Sequence, residues 1–134
     1  MHNKLKSKTR LAAIQLVTQQ LINNQDIEKI KEAAPYFESK HDFNAFRSID
    51  CQSSSSIKTI DHCSVTNDQE SITIQVAAKS FLHSQVRIMT GTLVNVGEGK
   101  IQPSDIKQII EIKDRDKAGV TAPAHGLYLK EVIY

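Results

Sequence analysis

The chain has 134 residues, enough for one domain of ordinary size and too few for two full catalytic lobes. Hydrophobic residues make up 40% and charged residues 24%, with only five Gly and three Pro, a composition typical of a globular domain and not of a disordered or fibrous chain. No apolar run approaches the roughly 18 residues of a membrane helix. We therefore expect a soluble, cytoplasmic protein without a membrane partner.

The two cysteines, Cys51 and Cys63, stand far apart and lack the CxxC or His spacing of a metal site. This favours free thiols and predicts no metal. The formal net charge is +2, but four of the 17 Lys and Arg residues precede the first acidic residue, Asp26, which leaves 13 against 15 acidic groups. Any steering of nucleic acid would therefore come from local patches and not from the overall charge.

The first 25 residues are basic and acid-free, and their apolar residues have helical spacing: Leu11, Ile14, Val17 and Leu21. The spacing predicts a helix from about Thr9 to Ile22, within an amphipathic N-terminal segment over residues 1–27. An organellar targeting peptide is an alternative interpretation, although Arg and Ser enrichment is absent. The stretch SKTRLAAIQLVTQQ also resembles the first helix of a bacterial transcription antitermination factor.

A second helix is predicted to begin at the capping residue Asp26 and to end or kink at Pro35. The segment HDFNAFR then indicates a tight turn anchored by Phe43 and Phe46. The serines at positions 53–56 predict a loop. Two strands follow over residues 57–66 and 70–78 with a turn between them, and the second alternates cleanly between apolar and polar residues.

The best helical pattern runs from Phe81 to about Val96, where one apolar stripe recurs at steps of four and three: Leu82, Val86, Met89, Leu93 and Val96. A shorter helix opens at residues 103–105, carries three isoleucines, and is closed by Lys113 and Gly119. The final segment GLYLKEVIY is apolar on both faces, which predicts a central strand.

The predicted order is helix, helix, strand, strand, helix, helix, strand. It indicates an α+β fold in which helices cover one face of a small, mostly antiparallel sheet.

One side chain stands out for chemistry. Arg87 lies off the apolar stripe of its helix and shares a polar side with His83, Thr90 and Gly91. Because these neighbours are small, another backbone or a phosphate could approach the guanidinium closely. A solvated arginine on the helix exterior and an arginine that recognises an anion or carboxylate are both compatible with this pattern.

The other candidates are weaker. His83 is interpreted as a capping or packing residue, or as a proton shuttle or phosphate contact. His41 and Asp42 are adjacent and point different ways, which disfavours a dyad. The cluster of residues 114–116 is typical of a solvated ion-pair loop worth little energy. No Gly-rich phosphate loop or GxSxG elbow is present.

Three motifs in order carry a family resemblance: HDFNAFR at 41–47, FLHSQVRIMTGTLVNVGEGK at 81–100 and AGVTAPAHGLYLKEVIY at 118–134. Residues 28–134 resemble the C-terminal half of the tRNA pseudouridine synthase A family, whereas residues 1–27 do not match it. The resemblance implies a pseudouridine synthase-like half domain from a homodimeric enzyme that binds the anticodon stem-loop of tRNA. Without a cofactor or metal, such an enzyme isomerises uridine to its C-glycoside. An aspartate attacks a flipped-out nucleotide.

By position, Arg87 matches the family arginine that pairs with the catalytic aspartate, and such a pair lowers a carboxylate pKa by ~1–3 units. Leu127 and Leu129 match strand residues near the uracil ring, with plain sheet core as the alternative. A further expectation concerns phosphate contacts on the rim around Arg87, formed by Lys79, His83 and Lys100.

The family's aspartate lies in a GRTDAG-like loop of the N-terminal half, and these 134 residues contain no such loop. RDKAGVTA at 115–122 imitates it but leads into the C-terminal motif, and Lys117 stands where the aspartate would be. We therefore expect the chain alone to be inactive. Three fates remain open: a split enzyme completed by a second polypeptide, a non-catalytic RNA-binding or dimerisation module, and a decayed gene fragment. A sheet edge left without its other lobe would invite pairing with another chain.

Overall fold

The computed structural model describes residues 12–20, 25–49 and 53–133. Five strands form one sheet in the order β2-β3-β4-β1-β5, and every pairing is antiparallel. The strands are β1 (Ala12–Gln20), β2 (Ser39–Asp42), β3 (Ile57–Asn67), β4 (Ser71–Ala78) and β5 (Leu127–Ile133). The helices are α1 (Ile27–Ala33), α2 (Gln85–Gly97) and α3 (Asp105–Ile112).

The helices cover one face of the sheet, which confirms the α+β class. Along β4, buried residues alternate with half-buried ones, and the buried set joins a single core with the helices: Ile72, Ile74, Val76 and Ala78. The predicted stripe of α2 is buried over its whole length. Within the described residues, no helix is both long enough and apolar enough to cross a bilayer.

The helix predicted from Thr9 to Ile22 is wrong over residues 12–20, which form strand β1. β1 lies between β4 and β5, and Val17 pairs with Ile74 on one side and Leu127 on the other. An inner strand is apolar on both faces, and here Leu16 and Val17, which point to opposite faces, are both buried. The apolar residues of this strand imitate helical spacing because burial on both faces removes the simple alternation of a strand. The resemblance to the first helix of an antitermination factor therefore has no helix to support it over these nine residues. The rest of the predicted helix, residues 9–11 and 21–22, lies outside the described residues.

The predicted position of β5 within the sheet is also wrong. It was expected to be central, but it pairs with β1 alone among the described strands and forms one end of the sheet. Leu129 on this strand is 55% exposed. Among the described strands, β2 and β5 therefore form the two edges of the sheet.

The second helix is confirmed as α1, where the Asp26 carboxylate accepts a hydrogen bond from the Lys29 backbone N–H at 3.2 Å. Pro35 ends it by opening a short 3₁₀ turn. The turn in HDFNAFR is also confirmed, because the buried rings of Phe43 and Phe46 pack edge to face with centroids 6.2 Å apart.

The two later helices have the predicted stripes with shifted ends. α2 begins at Gln85 and not at Phe81, because Ser84 adopts a left-handed φ of 65° that a continuous helix cannot contain. α3 ends at Ile112, where Lys113 has a φ of 64°. Gly119 has no part in closing α3, since it packs against α2 instead.

Candidate functional site

Arg87 lies in the first turns of α2, half-buried, and its guanidinium is anchored from one side. Its Nε donates a hydrogen bond to the Ala122 carbonyl oxygen at 2.7 Å, and the Ala122 N–H donates to the Arg87 carbonyl oxygen at 3.0 Å. Neither Nη1 nor Nη2 has an acceptor among the residues that the structure describes. The side chain is therefore held in place while its two terminal donors remain unused.

The backbone of residues 118–122 lies directly on the small-residue face of α2. A Cβ added to Gly119 would stand 2.6 Å from the Gly91 carbonyl carbon and oxygen, and a Cβ added to Gly91 would overlap the Val120 carbonyl oxygen. The Gly119 N–H donates to Thr92 Oγ1 at 2.8 Å. The expected close approach to this face is thus made by another backbone.

The expectation of a solvated ion-pair loop at residues 114–116 is wrong for Arg115, whose guanidinium binds the segment that follows. Its Nη1 donates to the Gly119 carbonyl oxygen at 2.9 Å, and its Nη2 approaches Thr121 Oγ1 at 3.3 Å. No ion pair forms among residues 114–116. Arg115 therefore stabilises the segment that holds Arg87, and with Ser84 and residues 118–121 it lines an open groove of about 510 Å³.

The two leucines of the C-terminal motif have different environments. Leu127 is half-buried and packs against the core, which fits the sheet-core alternative. Leu129 is 55% exposed on the free edge of the sheet and does not fit that alternative. An exposed leucine on an edge strand is available to a ligand or to another chain.

The three expected phosphate contacts are not all on one rim. Lys79 directly follows β4, and His83 lies one turn before Arg87, exposed, with its carbonyl oxygen accepting from the Ser48 N–H at 3.0 Å. Lys100 lies beyond the other end of α2, roughly 15 Å from Arg87 along the helix axis. There its Nζ is 3.2 Å from a Glu98 carboxylate oxygen.

Sequence reasoning missed the residues that position Arg87. The bonds between Arg87 and Ala122 and between Thr92 and Gly119 join α2 to a segment some 30 residues further along the chain, and no local pattern reveals such contacts. Arg115 acts within that later segment, through its bond to Gly119. The only available signal was the pair of glycines, because glycine often marks a close approach of two backbones.

Comparisons with known proteins identify the family of this chain. A family model for tRNA pseudouridine synthases matches residues 33–134. Because the match covers most of the chain, the chain belongs to the tRNA pseudouridine synthase family, and the predicted resemblance is confirmed.

Three similar relatives are named tRNA pseudouridine synthase A. The protein of Anaplasma phagocytophilum is 52% identical over 109 residues, which cover 81% of this chain and 44% of that relative. The Ehrlichia chaffeensis protein is 46% identical over 115 residues, covering 85% of this chain and 47% of the relative. The Wolbachia pipientis protein is 41% identical over 115 residues, which cover 86% of this chain and 47% of that relative. The chain spans about half the length of the curated relatives that it matches.

Proposed function

We propose that this chain is the arginine-bearing half of a tRNA pseudouridine synthase that isomerises uridine in the anticodon stem-loop of tRNA. The observation that carries the proposal is the state of Arg87, whose Nε is bound to Ala122 while Nη1 and Nη2 lack partners among the described residues. A guanidinium presents its donors as a rigid fork that matches a carboxylate. Arg87 is therefore preorganised to receive an acid.

The acid in this proposal is the aspartate of the family's GRTDAG-like loop, which these 134 residues do not contain. An N-terminal half would supply this aspartate, either within the same polypeptide or on a second one. The Arg87 charge would keep that aspartate ionised at neutral pH by lowering its pKa. In the reaction, the aspartate attacks the sugar carbon as the N-glycosidic bond breaks, and the uracil turns. Its C5 then displaces the aspartate from that carbon and loses its proton, which restores the uracil ring and the free aspartate.

The free edge of the sheet supports the need for a further chain segment. β5 pairs on one side only among the described strands and exposes Leu129. Its unpaired backbone groups can bond a strand of the other half or of a second copy in a homodimer. Leu129 would then supply an apolar surface beside the flipped uracil.

Tritium release tests the proposal, because formation of the C5–sugar bond expels the C5 hydrogen. We would incubate tRNA labelled at uridine C5 with this chain alone, with a homologous aspartate-bearing half alone, and with both. The expected result is release only from the mixture, and none when that half carries Asn in place of its aspartate. Release by the chain alone would contradict the proposal. RNA binding without turnover in any mixture would favour a non-catalytic RNA-binding module instead.

A further inference from the structure

Three lysines line one cavity at the end of the sheet. The cavity measures about 360 Å³, and Asp61 is its single carboxylate; its basic residues are Lys40, Lys58 and Lys79. They come from three strands or strand ends that the register brings together. Lys40 pairs with Thr59, the neighbour of Lys58, and Ala78, the residue before Lys79, pairs with Ile60.

Asp61 offsets one of the three lysine charges of this cavity, which leaves an excess of two positive charges. None of them forms an ion pair with a carboxylate in the described part of the chain, although Asp61 lines the same cavity. Lys58 Nζ donates a hydrogen bond to Ser80 Oγ at 3.0 Å, which fixes one ammonium group at the rim. By contrast, Lys100 and Lys113 each have a carboxylate oxygen within 3.8 Å.

This concentration of positive charge is unusual for the chain. After residue 10 there are 13 basic and 15 acidic residues, so an even distribution would put about one acid beside each lysine. The groove lined by Thr18, Asp68, Glu70 and His125 is acidic in comparison. Three ammonium groups around one cavity repel one another, and a bound anion would relieve that repulsion.

We propose that this lysine cavity contacts the phosphate backbone of the RNA next to the reacting uridine, an inference that rests on the proposed function. Lysine is a compact point charge that binds phosphate without reading bases. Ser80, which lines the cavity, is joined to the start of α2 by a short segment, so its backbone lies at most roughly 21 Å from the Arg87 backbone. A few consecutive nucleotides span that distance.

The salt dependence of RNA binding tests the inference. The triple variant Lys40→Gln, Lys58→Gln and Lys79→Gln removes the cavity charges. A matched triple variant, Lys29→Gln, Lys31→Gln and Lys107→Gln, removes three lysines of α1 and α3 at the same net charge. Fluorescence anisotropy of a labelled, unmodified anticodon stem-loop would be measured from about 50 to 200 mM salt.

For three single-stranded phosphate contacts, the slope of log K against log salt should become shallower by about 2 in the cavity variant, and by about 0.7 in Lys79→Gln alone. The matched variant should keep the original slope. Equal slope changes in both triple variants, or no change in the cavity variant, would overturn this inference and leave the proposed function intact. If the reconstituted two-part enzyme binds no RNA, the inference and the proposed RNA substrate both fail.

Discussion

Replacing Gly119 by Ala tests whether the contact between two backbones positions Arg87. The new Cβ would lie 2.6 Å from the Gly91 carbonyl atoms, against at least 3.4 Å for an ordinary contact, so residues 118–122 must retreat by about 0.8 Å. The same shift would stretch the bond between the Gly119 N–H and Thr92 Oγ1 from its present 2.8 Å. Overpacking costs about 1–3 kcal/mol and a weakened hydrogen bond about 1 kcal/mol.

We therefore expect Gly119→Ala to lower the free energy of unfolding by about 2–4 kcal/mol, measured by urea denaturation. Val120→Ala is the matched control, because this neighbouring side chain is 78% exposed and its loss should cost less than about 0.5 kcal/mol. In the reconstituted two-part enzyme, Gly119→Ala should also reduce turnover, since the Ala122 oxygen that holds Arg87 moves with the segment. A change in stability within about 0.5 kcal/mol of the unaltered chain would refute the reasoning.

Three further predictions concern the core, a buried thiol and the edge strand. Val86→Ala and Met89→Ala should each lower the free energy of unfolding by about 1–4 kcal/mol because both side chains are buried, whereas the exposed Lys107→Ala should change it little; thermal melts separate the two classes. Burial raises the pKa of Cys63 from 9.0 to about 12, so above pH 9 the unfolded chain loses a proton that the folded one keeps. Stability should therefore fall by up to about 1.4 kcal/mol per pH unit between pH 9 and 12, and Cys63→Ala, compared in the same denaturation series, should lack this component. Leu129→Ala should lower the free energy of unfolding by less than about 1 kcal/mol yet reduce turnover in the two-part enzyme, because this side chain is 55% exposed. A large loss of stability would show that Leu129 is a core residue.

Elements that bury one face could be predicted from the sequence. The stripe of α2 and the alternation of β4 each follow from a single periodicity, because one side of the element meets the core and the other does not. The start of α2 was misplaced by four residues because the left-handed backbone of Ser84 leaves no trace in the apolar pattern.

Strand neighbours could not be predicted in the same way. β1 is inner and β5 is at the edge, although the sequence of β5 favoured a central strand, and the spacing of Ile14 and Val17 in β1 fits a helix as well as a strand. Only the pairing partner distinguishes these cases, and the partner of β1 is β4, more than 50 residues away.

The sequence predicted only the part of the candidate site that lies within one helix. Arg87 and its small neighbours share one helix, so their common face was visible in the sequence. The anchoring oxygen of Ala122 and the lysine cavity are assembled from distant segments, and of the three cavity lysines only Lys79 was expected to contact RNA.

The most direct measurement is turnover of the reconstituted enzyme with Arg87→Ala, beside Arg47→Ala as the loss of a guanidinium whose Nη1 instead donates to the Ser53 carbonyl oxygen. The account predicts that the Arg87 variant keeps its fold, seen as an unfolding free energy within about 1–2 kcal/mol of the unaltered chain, and releases at least about 100-fold less tritium. The Arg47 variant should retain turnover. Undiminished release by the Arg87 variant would show that this guanidinium does not receive the aspartate, and would contradict the account.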